Sequence, residues 1–138
     1  MDQAVIIEGN PLFRQALESA FHSRSPSMEV VSVGNGQKAI ELMETFSPDL
    51  VFINVKLPNE NGLELTRKIK SRHPDATVII VSSHDSPEYR QAARLSGGDY
   101  LILKESPLED YFGLIDSILS ERELHQKGFQ QEKSEELR

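Results

Sequence analysis

The stretch Leu50-Val51-Phe52-Ile53-Asn54-Val55-Lys56-Leu57-Pro58-Asn59-Glu60-Asn61-Gly62 decides the fold. Val51, Phe52 and Ile53 form an apolar run of strand type, Val55 continues it, and Asn54 is the one polar residue inside it. Leu57-Pro58 and the turn-forming set Asn59-Glu60-Asn61-Gly62 end the strand, and a helix opens at about Leu63. A polar side chain at such a junction stands at the C-terminal edge of its strand, where open parallel α/β sheets hold their sites. Asn54 is therefore the position to explain.

The same unit recurs on both sides of this stretch. Upstream, Ala4-Val5-Ile6-Ile7 reads as a buried strand that stops at Glu8-Gly9. Asn10-Pro11 supplies an N-cap and a proline at the first helical position. Leu12, Phe13, Ala16, Leu17, Ala20 and Phe21 then recur at helical spacing to about Arg24. Met28 to Val33 reads as a second strand. After the Gly34-Asn35-Gly36 turn, Ala39, Ile40, Leu42, Met43 and Phe46 mark a second helix, closed by Ser47-Pro48-Asp49.

Downstream, Leu63, Leu65 and Ile69 predict a third helix ending before His73-Pro74. Thr77 to Val81 is a strand closed by Ser82-Ser83-His84-Asp85. Ser86-Pro87 opens a fourth helix through Tyr89, Ala92, Ala93 and Leu95 to the stop at Gly97-Gly98. Tyr100-Leu101-Ile102-Leu103 is the fifth strand and ends at Lys104. Ser106-Pro107-Leu108-Glu109 has the form of a capping box. The last helix carries Leu108, Tyr111, Phe112, Ile115, Ile118 and Leu119 on one stripe, with Gly113 on the opposite side. Strict β-α alternation with unbroken apolar strands predicts a parallel sheet covered on both faces. One domain over residues 1–120 is expected, with 121–138 as a charged helical extension or linker.

Composition excludes several function classes. A chain of 138 residues with 38% hydrophobic and 27% charged residues supports one core. A net charge of -7 and a pI near 5.1 argue against direct binding to nucleic acid or to an anionic membrane. There are no cysteines, which rules out disulfides, a thiol nucleophile and cysteine-ligated zinc, and fits a cytoplasmic location. No stretch reaches membrane-spanning length, and Met1-Asp2-Gln3-Ala4 carries no basic segment leading into a long apolar run. His22, His73, His84 and His125 share no metal-ligand spacing. Ser82-Ser83-His84-Asp85 contains triad residue types, but triad members meet in space rather than in sequence, so it reads as a strand end. Gly34-Asn35-Gly36 lacks the rest of a dinucleotide fingerprint and is a turn. Lys56 and Glu60 read as solvated loop charges.

At the C-terminal ends of strands one, three, four and five stand Glu8-Gly9, Asn54, Ser82-Ser83 and Lys104. One sheet edge thus gathers an acid, an amide, hydroxyls and an amine. Together with Asn10 to Leu17, Pro48-Asp49-Leu50-Val51, Leu57 to Leu65, Asp85 to Tyr89 and Leu103 to Ser106, these ends resemble the receiver domain of two-component response regulators over about residues 3 to 120. The resemblance is nearest to receivers that precede a LuxR-type (NarL-type) helix-turn-helix. It implies a flavodoxin-like doubly wound sheet, strand order 2-1-3-4-5.

In that family two adjacent acids end strand one and hold Mg²⁺ with an aspartate that ends strand three. That aspartate attacks a phosphoryl donor and becomes an acyl phosphate, while a Ser or Thr and a lysine bind the phosphoryl oxygens. Mg²⁺ wants hard oxygen ligands, the nucleophile must be a carboxylate, and the lysine neutralises the transferring group. Ser82 and Lys104 match these phosphoryl-contact positions. The acid-pair positions hold Glu8 and Gly9, and the acceptor position holds Asn54, so three carboxylates have become one. Leu101 stands where many relatives carry a switching aromatic residue.

The expectation is a pseudo-receiver in phosphorelay signalling and transcription regulation. It is not an enzyme, has no resident metal and no cofactor beyond weak Mg²⁺ at most, and Lys104 approaches Glu8 or the Asn54 side-chain oxygen. The partners implied by resemblance are a histidine kinase or another signalling protein, a second copy through the last helix, or a C-terminal output domain following Arg138. Two rival readings stand beside it: a working receiver in which Asn54 was introduced by design, and a flavodoxin-like small-ligand binder, for which no flavin sandwich or phosphate loop is visible.

Overall fold

The computed structural model describes the backbone of residues 3–136 and the side chains of residues 3–122. The protein divides into two compact units, Met1–Ser106 and Pro107–Arg138. In the first, β1 (Gln3–Ile7), β2 (Glu29–Val33), β3 (Leu50–Asn54), β6 (Thr77–Ser82) and β7 (Tyr100–Leu103) form one parallel sheet in the order β2-β1-β3-β6-β7. Counted as the five long strands, this is the 2-1-3-4-5 order of a flavodoxin-like fold. The labels β4 (Lys56–Leu57) and β5 (Glu60–Asn61) belong to a small antiparallel ribbon after β3.

Four helices connect the strands, and each starts on a capping side chain. The Asn10 side chain accepts from the Leu12 and Phe13 N–H groups to open α1 (Pro11–Arg24). Asn35 accepts from Lys38 to open α2 (Gly36–Leu42), Asn61 from Leu63 to open α3 (Gly62–Arg72), and Ser86 from Tyr89 to open α4 (Pro87–Leu95). Past α4, Gly97 takes a φ of +102°, which leads the backbone to the sheet again.

Alternate residues of the strands face opposite layers. Val5, Ile7, Val51, Ile53, Val78 and Ile80 pack with Ala39 of α2 and Leu65 and Ile69 of α3. On the other face, the Phe21 ring of α1 meets the Phe52 ring edge-on, 5.0 Å between centroids. All five residues of β3 are buried, as a central parallel strand requires.

Several expectations are corrected in detail. α2 ends at Leu42, and only turn hydrogen bonds continue from there to Phe46. Leu12 and Leu95, whose spacing places them on the helix stripes, are 78% and 69% exposed. The loop after β3 is the β4–β5 ribbon, turned by Pro58 and by Asn59 at a φ of 57°, a pairing suited to a type II turn.

The second unit is α5 (Leu108–Glu136). Tyr111, Ile115 and Ile118 are buried, Phe112 and Leu119 are half-buried, and Leu108 is exposed, so the stripe is narrower than its sequence suggests. A β-carbon on Gly113 would meet nothing within 4 Å. The expected departure of the helix from the core, read at Arg122, Glu123 and Gln126, falls almost wholly on side chains outside the described residues.

Candidate functional site at the strand ends

Parallel pairing brings the C-terminal ends of β1, β3, β6 and β7 to one edge. Asn54 is the last residue of β3 and pairs with Val81, while Ser82 ends β6 opposite Leu103. Glu8 lies one residue past β1, and its N–H donates to the Val33 carbonyl, which extends the sheet to the site.

The centre of the site is a bond between two sequence-predicted residues. The Asn54 amide nitrogen Nδ2 donates to Glu8 Oε2 at 2.7 Å. Both side chains are buried, Glu8 3% and Asn54 6% exposed. The other carboxylate oxygen, Oε1, accepts from the Asn10 N–H at 3.0 Å, and Asn54 Oδ1 accepts from the Lys56 N–H at 3.1 Å. This network fixes which way the amide points: turned over, it would set its oxygen against a carboxylate oxygen and its NH₂ against an N–H. Burying a carboxylate is costly unless donors satisfy it, and these do.

The remaining positions are placed as follows. Ser82 is buried, and its hydroxyl oxygen accepts from the His84 N–H at 2.9 Å. The Lys104 ammonium lies 5.1 Å from the centroid of the Phe13 ring, within cation–π range. Leu101 is partly buried against the core. At Gly9 a β-carbon would stand 2.9 Å from Pro58 Cδ, so the proline ring closes over the position of the second acid.

Sequence reasoning misses the supporting residues. Arg14 Nη1 donates to the Glu8 carbonyl at 2.8 Å and steadies the turn that holds the carboxylate. The Phe13 ring lies beneath the Lys104 ammonium. Glu60 is not a solvated loop charge: it is half-buried, and its Oε2 accepts from the Gly36 N–H at 2.9 Å. Lys56 is exposed, and it is its backbone N–H that serves the site. Helical periodicity points to Phe13, but nothing local in sequence points to the other contacts.

The donor set does not fit a resident Mg²⁺. It offers one carboxylate with both oxygens engaged, and Asn54 turns an N–H, not an oxygen, toward it. Among the described residues no group of three or more His, Cys, Asp or Glu could hold a metal ion. Nor is any described helix long and apolar enough to cross a membrane.

The profile of the response regulator receiver domain matches residues 4–116. Transcriptional regulatory protein DegU of Brevibacillus brevis is 36% identical over 104 residues, covering 75% of this chain and 44% of that protein. The nitrate/nitrite response regulator protein NarL of Escherichia coli K12 is 29% identical over 107 residues, 77% of this chain and 49% of that protein. The sequence thus spans about half or less of the length of these relatives. A LuxR-family DNA-binding response regulator from Staphylococcus aureus superposes with a TM-score of 0.74 at 27% identity, over 86% of this chain and 98% of that one. A CheY-like receiver domain protein from Methanospirillum hungatei gives 0.81 at 21% identity, over 91% and 98%, a likeness of fold.

Proposed function

The chain belongs to the response regulator receiver family, and we propose that within it this domain is a pseudo-receiver: a two-component signalling module that works through protein contact without phosphorylation at position 54. The observation that carries the reading is the bond from Asn54 Nδ2 to Glu8 Oε2. A neutral amide lacks the anionic oxygen that attacks phosphorus. Its N–H occupies the remaining carboxylate, so the pair is satisfied without the cation that two facing carboxylates would need.

The partner class is a histidine kinase or another signalling protein in the cytoplasm. DegU and NarL are named as regulators, which supports an output role in transcription. With an acidic net charge, the domain itself does not read nucleic acid.

Intact-mass spectrometry after incubation with Mg²⁺ and acetyl phosphate tests the reading. The expected spectrum is that of the unmodified protein. A phosphoryl adduct at useful yield on a sample carrying Asn54 overturns it.

A further inference from the structure

Asparagine followed by glycine occurs twice, at Asn35-Gly36 and Asn61-Gly62. Such pairs are chemically labile, because no β-carbon shields the glycine nitrogen. That nitrogen, once deprotonated, attacks the asparagine Cγ. A bond forms between the backbone nitrogen and Cγ, the bond from Cγ to Nδ2 breaks, and ammonia leaves. Water then opens the cyclic imide to aspartate or isoaspartate. The reaction needs no other co-reactant.

Both pairs sit at helix starts with the reacting groups tied. The Asn61 oxygen accepts from the Leu63 N–H at 2.8 Å, and the Gly62 N–H donates to the Val55 carbonyl at 2.8 Å. The Asn35 oxygen accepts from the Lys38 N–H at 2.9 Å. The Gly36 N–H, however, is held by a side chain, the carboxylate of Glu60 at 2.9 Å. That carboxylate keeps the proton on the nitrogen, and its charge opposes the amide anion from which attack proceeds.

We propose that Asn35 is a latent deamidation site and that Glu60 guards it. The latch at Gly62 joins backbone to backbone, whereas the latch at Gly36 depends on a residue of the two-residue strand β5. Asn35, Gly36 and Glu60 also line an open groove of about 800 Å³, which gives water access to the imide. The aspartate product would carry a negative charge close to Glu60, so the latch could not re-form on its original terms. Opening of the ribbon would thereby be recorded irreversibly, whatever the state of position 54.

The test is peptide mapping with isoaspartate quantification on the 138-residue chain and on its Glu60→Ala and Glu60→Gln variants, aged together in warm, mildly alkaline buffer. Conversion at Asn35 should rise roughly ten-fold in Glu60→Ala, the order that a charge-assisted hydrogen bond is worth. Glu60→Gln keeps an acceptor without the charge and should fall between. Asn61 adjoins the mutated position in β5, so the control is Leu17→Ala, which loosens the buried core away from the ribbon and should leave Asn35 near its parental rate. No rise at Asn35 in Glu60→Ala, or an equal rise in Leu17→Ala as general loosening of the fold produces, overturns the proposal.

Discussion

Asn54 and Glu8 stand 46 positions apart in the sequence, and their side chains meet at 2.7 Å, amide nitrogen to carboxylate oxygen. The contact is directional. Asn54→Asp replaces the donor by an oxygen at the same place and sets two buried carboxylates against each other. The variant should lose about 1–3 kcal/mol of stability in a chelating buffer, the cost of a lost bond to a charged group. Mg²⁺ should recover part of that loss in the variant by bridging the two oxygens, and should leave the parent's melting temperature unchanged. Thermal melts with and without Mg²⁺ decide this. A variant as stable as its parent without metal would refute the account of the site.

Restoring chemistry should take more than one change. Asn54→Asp supplies the nucleophile, but Gly9 still leaves a metal one carboxylate short. Asn54→Asp with Gly9→Asp should take up phosphate markedly better than the two single variants added together, since the groups would share one ion. The gain has a structural limit. A β-carbon at position 9 stands 2.9 Å from Pro58 Cδ, so the turn must shift to admit it. The phosphorylated fraction by intact mass is the readout. Ordinary labelling of Asn54→Asp alone would mean that Glu8 suffices as the second ligand.

How far the sequence reaches can be judged from these same residues. Strand and helix order is legible because apolar period and cap residues agree at the starts of α1 to α4, with a proline added at Asn10-Pro11 and Ser86-Pro87. The gathering of Glu8, Asn54, Ser82 and Lys104 at one edge follows from parallel strands alone. What each polar atom bonds to does not follow, because those contacts span long separations. Glu60 reads as a loop charge because its partner, Gly36, lies 24 positions away. The β4–β5 ribbon has strands of two residues, too short to show a period. Leu12 and Leu95 have helical spacing but fall outside the buried arc, a distinction that turns on small rotations about the helix axis.

Two glycines inside helices should respond oppositely to alanine. At Gly62 a β-carbon would run into the Asn54 carbonyl oxygen and stand 2.7 Å from Val55 Cα. Both are backbone atoms that cannot rotate away. Gly62→Ala should cost about 1–3 kcal/mol or more, as overpacking does, and should disturb the loop beside Asn54. At Gly113 the β-carbon meets open space. Gly113→Ala should stabilise by up to about 1 kcal/mol through helix propensity. Denaturant midpoints measure both. A Gly113→Ala variant that gains nothing in the isolated protein, or loses self-association, would point to a partner backbone approaching that face.

The last helix carries the remaining prediction. Its backbone runs unbroken from Leu108 to Glu136, while its buried positions, among the described residues, stop at Ile118. Beyond Ser120 the sequence is rich in Glu, Gln, Lys and Arg, good helix formers apart from Gly128, with both charge signs mixed. A helix of roughly four turns without an apolar face is marginal on its own in water. The extension therefore calls for a partner, and a second copy of the same protein is the one that a purified sample can supply. Size-exclusion chromatography with light scattering should give a dimer mass for the 138-residue chain and a monomer mass for a version ending at Ser120. An identical monomer mass for both would remove the dimer, and rapid proteolysis throughout 121–138 would make the segment a loose tail.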